Sequence, residues 1–228
     1  MTNESSKQRL LADLKRKVLT LELEPGVDLD ETRLSREYGI SRTPLREVFR
    51  QLAGEGYIQI RDNRGAIVSP MSHKNMRDFF MTAPLIYASI GRLAAQNARP
   101  AQIEELRGVQ ASFRKAVEDG SVEGMVYWND RFHDTIGQIA DNRYLTPSLQ
   151  RLLIDHARIG QTFWRARRPE MRARIATAAN QHDRLIEVIA AADEEATVAV
   201  TLEHWDLSRN HIEMFVRPDP LPIEVPAS

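Results

Sequence analysis

The chain has 228 residues, with 31 Lys and Arg against 32 Asp and Glu, a formal charge of −1, 42% apolar residues and no cysteine. Near-neutrality excludes a nucleic-acid binder that works by bulk positive charge, and the lack of cysteine excludes disulfides, thiolate metal sites and a cysteine nucleophile. No apolar run reaches membrane-span length, and the start MTNESSKQRLLADLK lacks the apolar core and cleavage site of a secretory signal, so a cytoplasmic chain of two modest domains is expected.

Apolar residues Leu10, Leu11, Leu14, Val18 and Leu21 recur at helical spacing and predict a first helix over residues 8–21. Pro25 and Gly26 break it. Asp30 is placed to cap a short second helix carrying Leu34 and Tyr38, and Gly39 follows where a left-handed end is favoured. Ser41 is placed to cap a third helix, with Pro44 in its first turn, where a missing N–H does no harm. That helix runs to Gly54 or Glu55, and the pair forms a helix-turn-helix. Leu45, Val48, Phe49 and Leu52 make its inner face and leave Arg42, Arg46 and Arg50, one per turn, on the outer edge. The stretches YIQI and AIVS predict two strands joined by RDNRG, whose Asn63 and Gly65 suit a tight turn.

Pro70 and Ser72 mark a junction. The predicted fold is mainly α: a winged helix-turn-helix domain over residues 1–70, then an all-α antiparallel bundle of about six helices over residues 71–217. Its helices are expected at about 73–97, 101–119, 122–140, 143–166, 169–191 and 193–216, with a kink or break at Pro84. Residues 218–228 hold four prolines and read as an extended or disordered tail.

A helix fits the major groove of duplex DNA, where arginine bonds guanine through two N–H groups. Base contacts come from the N-terminal end of such a helix, which makes Arg42, Thr43 and Arg46 the reading residues and Arg50, two turns on, a phosphate contact. Arg64 and Gly65 at the wing tip would approach the backbone or minor groove. Arginines four apart are otherwise an ordinary solvated face, and the helix-turn-helix and hairpin context is what favours the DNA reading.

The segment LEPGVDLDETRLSREYGISRTPLREVFRQLAGEGYIQIRDNRGAIV resembles the winged N-terminal domain of GntR-type bacterial transcriptional regulators, with SRTPLREVFRQLAGEGY the most specific part. The resemblance places Arg42, Thr43, Arg46 and Gly65 on DNA-contacting positions. Thr32 stands where some relatives carry arginine, and neighbouring Arg33 becomes a phosphate contact. It implies a homodimeric regulator, a repressor, on an inverted-repeat operator of double-stranded DNA.

In WNDRFHDTIGQIADN, Asn129 and His133 sit at i and i+4, one above the other on a helix. His182 heads an apolar stripe with Leu185, Ile186 and Ile189, and His204 lies one turn from Val200 and Leu207. Three imidazoles and one side-chain oxygen from three helices suit a divalent cation such as zinc, nickel or manganese, although a histidine on an apolar face is commonly a satisfied core residue. His73, His156 and His211 receive no role.

This half resembles the FCD domain of the FadR-like branch of GntR regulators. There an acidic residue four before a histidine, with two later histidines about 22 apart, binds a metal. His133, His182 and His204 match, and Asn129 takes the acidic place, supplying an oxygen without its charge. The resemblance also implies a small organic acid as effector. Ala83 replaces the arginine of relatives, Tyr87 occupies another usually polar place, and Arg158 is chosen as the substitute basic donor. The rival readings are a metal-dependent hydrolase built on the helical scaffold, since an open three-histidine site can activate water, and a helical interaction protein whose histidines only pack.

Overall fold

The computed structural model describes residues 3–61, 65–164 and 169–216. The head opens with α1 (Asn3–Leu19), β1 (Asp28–Leu29), α2 (Glu31–Tyr38) and α3 (Arg42–Glu55), and closes with the wing strands β2 (Ile58–Arg61) and β3 (Gly65–Val68). Asp30 caps α2 by accepting from the Arg33 amide at 2.9 Å, and Gly39 ends it at φ 62°, a left-handed conformation that costs little without a Cβ. Ser41 occupies the N-cap of α3 but makes no side-chain capping bond, contrary to expectation. The structure adds a strand that the sequence does not announce: β1 pairs antiparallel with β3, Asp28 opposite Ile67, giving the order β1-β3-β2. Leu10, Leu14, Leu34, Leu45, Phe49, Leu52 and Val68 fill the head's core, each fully buried side chain of this size favouring the folded state by about 1.5–3 kcal/mol.

The body is α4 (His73–Asn97), α5 (Pro100–Glu118), α6 (Val122–Ala140), α7 (Leu145–Trp164), α8 (Pro169–Ala190) and α9 (Glu194–Val216). Ser72 caps α4 by accepting from the Asn75 amide. That helix continues through Pro84 as one element, so of the expected kink or break the break does not occur. Phe79, Ala83, Tyr87 and Ile90 form its inner stripe, so burial on both sides of Pro84 holds the helix together. Close packing of α6 on α7 depends on Gly137, where an added Cβ would stand 2.5 Å from Leu149 Cδ2. The expected turn residues Asn63 and Arg64 and the Pro-rich tail lie outside the described residues.

Head and body share α7. Ile154 belongs to the head's core cluster while Leu149 and Leu153 belong to the body's. Arg158 donates to the Ser69 carbonyl at 2.6 Å, and Gln161 donates to the Leu19 carbonyl at 2.9 Å. Positions 154, 158 and 161 follow the i, i+4, i+7 spacing of one helix face, and that face carries the head.

Candidate functional sites

On the head, Arg42, Thr43, Arg46 and Arg50 are all exposed along the outer edge of α3. The inward stripe of Leu45, Val48, Phe49 and Leu52 leaves that edge nowhere to go but solvent. Arg46 Nε lies 3.7 Å from Glu31, a loose pair with the arginine side chain 62% exposed. Arg42 and Arg50 have no ion pair among the described residues. A cleft of about 410 Å3 between α3 and the wing is lined by Glu31, Arg46, Arg50, Arg61 and Gly65, which brings three of the expected DNA-contacting residues, Arg46, Arg50 and Gly65, to one concave surface. Arg33 is exposed on α2, loosely paired with Glu37, and does not line this cleft. Gly65 has φ 76°, so a side chain there would strain the wing. Arg64 falls outside the described residues.

In the body, α6, α8 and α9 bring His133, His182 and His204 together with one nitrogen of each within 4.8 Å of the others. Ring centroids are 4.7 Å apart for His182 and His204, and 5.4 Å for His133 and His204. Across a tetrahedral zinc the ligand nitrogens stand about 3.3 Å apart, so modest closure of the rings completes the geometry. Asn129, one turn before His133, is also buried. Three atoms of this group, Asn129 Oδ1, His133 Nε2 and His182 Nε2, are buried without a hydrogen-bond partner. A buried acceptor left unpaired costs about 1–3 kcal/mol; a cation among the histidines would satisfy the two imidazole nitrogens, and one that Asn129 Oδ1 also reached would satisfy all three.

Two glutamines orient the rings. Gln110 uses its amide N–H groups on the Ala179 carbonyl and on Asp183, so its Oε1 must accept from His182 Nδ1, at 3.0 Å. Gln181 donates to Glu203 and accepts from His204 Nδ1 at 2.9 Å. Both imidazoles therefore hold their proton on Nδ1 and present Nε2 as a lone-pair donor, the arrangement that ligating histidines use. The carboxylates behind the glutamines are themselves paired, Asp183 with Arg114 and Glu203 with Arg184. Burial holds His204 down at about 3 and His156 at about 4, and holds His133 and His182 well below the ordinary imidazole value, so all four rings are neutral and able to ligate at pH 7.

Beside the histidines lies a cavity of about 20 Å3, room for one or two waters. Tyr87, His133, His156, Thr201, His204 and Trp205 line it with aliphatic neighbours and no charged side chain. Tyr87 therefore stands where the sequence puts it. Its phenol bonds His156 Nδ1 at 2.8 Å, and burial raises the phenol's pKa so that it keeps its proton. Trp205 is buried, and its indole N–H has no partner.

Arg158 requires a correction. It is 2% exposed, but it points to Ser69 and to Asp155, 3.1 Å away, at the head–body junction, and it does not line the cavity. A step of two residues turns a helix by about 200°, so Arg158 faces away from the cavity that His156 enters. The sequence reading missed His156, Gln110 and Gln181. Two of the three carry a signal of burial, though not of role: Gln110 interrupts the apolar stripe of Leu106, Val109 and Phe113, and His156 continues that of Leu149 and Leu153.

Removing one ring tests the cluster. If the three histidines hold a divalent ion, His182→Ala is expected to lower the metal content of purified protein to a small fraction of the wild type's, since it removes one of the three imidazoles. Elemental analysis after dialysis checks it, and full retention of metal would place the ion elsewhere.

Comparison with known proteins agrees with this architecture. Residues 6–68 match the bacterial regulatory proteins, gntR family, and residues 85–207 match the FCD domain. The HTH-type transcriptional repressor RspR of Escherichia coli (strain K12) is 28% identical over 199 residues, covering 86% of this chain and 84% of that protein. An uncharacterized HTH-type transcriptional regulator in an unstable DNA locus of Streptomyces ambofaciens is 31% identical over 69% of this chain and 67% of its own length. The solved structure of E. coli McbR/YncC superposes with a TM-score of 0.77 at 19% identity, covering 94% of this chain and 99% of that one, so the fold is shared. The chain belongs to the GntR family of bacterial regulatory proteins, with an FCD domain behind its winged head.

Proposed function

We propose that this DNA-binding transcriptional regulator acts as a repressor, holding an inverted-repeat operator as a homodimer and responding to a small organic acid at a metal site in the body. The observation that carries the DNA reading is the arginine edge of α3 beside the wing cleft, with Arg42 and Arg50 exposed and Arg46 only loosely paired. In this reading Arg42, Thr43 and Arg46 read base edges, Arg33, Arg50 and Arg64 meet phosphates, and Gly65 lets the wing approach the duplex closely. Dimerisation supplies the second half-site that one small module needs for strong specific binding. Repression is favoured by the similarity to RspR, which is named a repressor.

Histidine ligands favour zinc or nickel, with manganese less well served by an all-imidazole and amide set. The hydrolytic alternative finds no carboxylate to act as general base in the cavity among the described residues. A merely packing role for the histidines would leave two Nε2 atoms buried and unpartnered.

Arg46→Ala is expected to weaken operator binding by about 1–3 kcal/mol at one base pair of each half-site and to relax the preference there. Gel-shift titrations on matched and base-substituted operators read it out. An equal loss on both would remove Arg46 from the base-reading set.

A further inference from the structure

We infer that the body takes up its divalent ion only together with a small monoanion, so that metal and effector bind cooperatively; the inference rests on the reading that His133, His182 and His204 hold a metal. The ground for it is a charge deficit. Each of the four proposed ligands is neutral when it ligates: three buried imidazoles, which bind a cation only through an unprotonated nitrogen, and the amide of Asn129.

No carboxylate joins the three histidines in the ligand cluster, and none lines the adjoining cavity among the described residues. The acids nearest through hydrogen bonds, Asp183 and Glu203, reach the rings only through Gln110 and Gln181, and each already neutralises an arginine. Asp130 and Asp134, on the same helix as Asn129 and His133, line a different cleft, between α6 and the head. A doubly charged ion seated here would be buried with no countercharge, and a buried charge without a partner is strongly disfavoured. An anion entering from the cavity beside His133 and His204 provides the missing charge.

The same cavity limits what that anion can be. Among the described residues, only the side chains of Tyr87, His156 and Thr201 and the unpartnered indole N–H of Trp205 offer polar groups beyond the ligands, and all are neutral. A second acidic group on the effector would meet no cation. The ligand class is therefore a compact molecule with one carboxylate at the ion and a neutral remainder, with a hydrogen-bond acceptor where it reaches Trp205. At about 20 Å3 the cavity must widen to admit it.

Because coupling is reciprocal, metal affinity reports it without knowledge of the true effector. Zinc is titrated calorimetrically into metal-free full-length protein in a zwitterionic buffer with perchlorate as the salt, then again with acetate, and again with succinate. Acetate is expected to tighten zinc binding to the wild type within the usual coupling range of about 5–150-fold, and succinate to do so less. In Asn129→Asp the protein supplies the charge itself, so zinc binds tightly without acetate and acetate changes the affinity by less than about threefold.

Equal zinc affinity in the wild type with and without acetate would overturn the cooperative binding while leaving the metal site standing. Absence of zinc binding by both proteins in every arm would remove the metal site itself. The acetate comparison in the wild type decides the matter even if Asn129→Asp folds poorly.

Discussion

Lowering the pH from 7 to about 4.5 is expected to unfold the metal-free body, because four buried imidazoles refuse protons that the unfolded chain accepts. An unfolded histidine titrates near its ordinary value of about 6.5. In the fold, burial holds His156 at about 4 and His204 at about 3, and holds His133 and His182 well below the ordinary value. Between those values the unfolded state binds more protons, so stability rises with pH there and is lost as pH falls below about 6.5. For His156 and His204 the cost is about 1.4 kcal/mol per group per pH unit, hence roughly 5 kcal/mol over two units, and His133 and His182 add to it in the same direction; that is a large share of the whole stability of a domain.

Asp130 opposes this. Burial, with Asp134 beside it, raises its carboxyl to about 7, so it stabilises the fold at low pH and loses that contribution as pH rises through 7. Asp155, also raised by burial, acts in the same sense, and two acids against four histidines reduce the loss without reversing it. Circular dichroism against pH, in chelator and then in excess zinc, reads the effect, with zinc moving the acid midpoint downward because bound imidazoles must be deprotonated. A stability that stayed flat from pH 7 to 5 in chelator would contradict the burial of neutral rings.

Local chemistry that completes itself within a few residues was legible in the sequence. Asp30, Gly39 and Pro44 specify the ends of α2 and α3, and the stripes through Leu45 and Leu185 specify which faces turn inward. The histidine set was legible for the same reason, since Asn129 and His133 share a face by spacing alone and His182 and His204 each sit on an apolar stripe. Strand β1 was not, because a pair of residues too short to show alternation is defined only by its partner Ile67 across the sheet.

The glutamines escaped notice because their role is a hydrogen bond between helices, from α5 to α8 and from α8 to α9. Arg158 was aimed at the cavity by charge type, whereas the rotation of α7 turns it to the junction once His156 is known to face inward. Recognising His156 on the stripe of Leu149 and Leu153 would have excluded that role for Arg158.

Arg158→Ala is expected to destabilise the protein by about 3 kcal/mol, the cost of removing one partner from a buried charged pair while leaving a backbone carbonyl unmet. The side chain is 1% exposed, donates to the Ser69 carbonyl and to Asp155, and stands where β3 gives way to the linker into α4. Asp155 is less buried, and its carboxyl is already raised by burial despite the two arginines near it, so losing Arg158 favours its protonation and softens the penalty. For a chain of this length the change corresponds to about 6–12 °C in the melting midpoint.

Arg158→Lys retains the charge but offers no planar fork to span the carbonyl and the carboxylate, so it recovers only part of the loss. Two readouts separate this from a general core defect: cleavage by a protease at the 69–72 linker should rise sharply, and the effect of acetate and zinc on operator affinity should shrink. The second follows from the geometry of α7, which sends His156 into the cavity and, from its opposite face, Arg158 and Gln161 to the head. A ligand that shifts His156 can bias the orientation of the head only while those bonds hold, since binding alters an equilibrium only through contacts that differ between its two states.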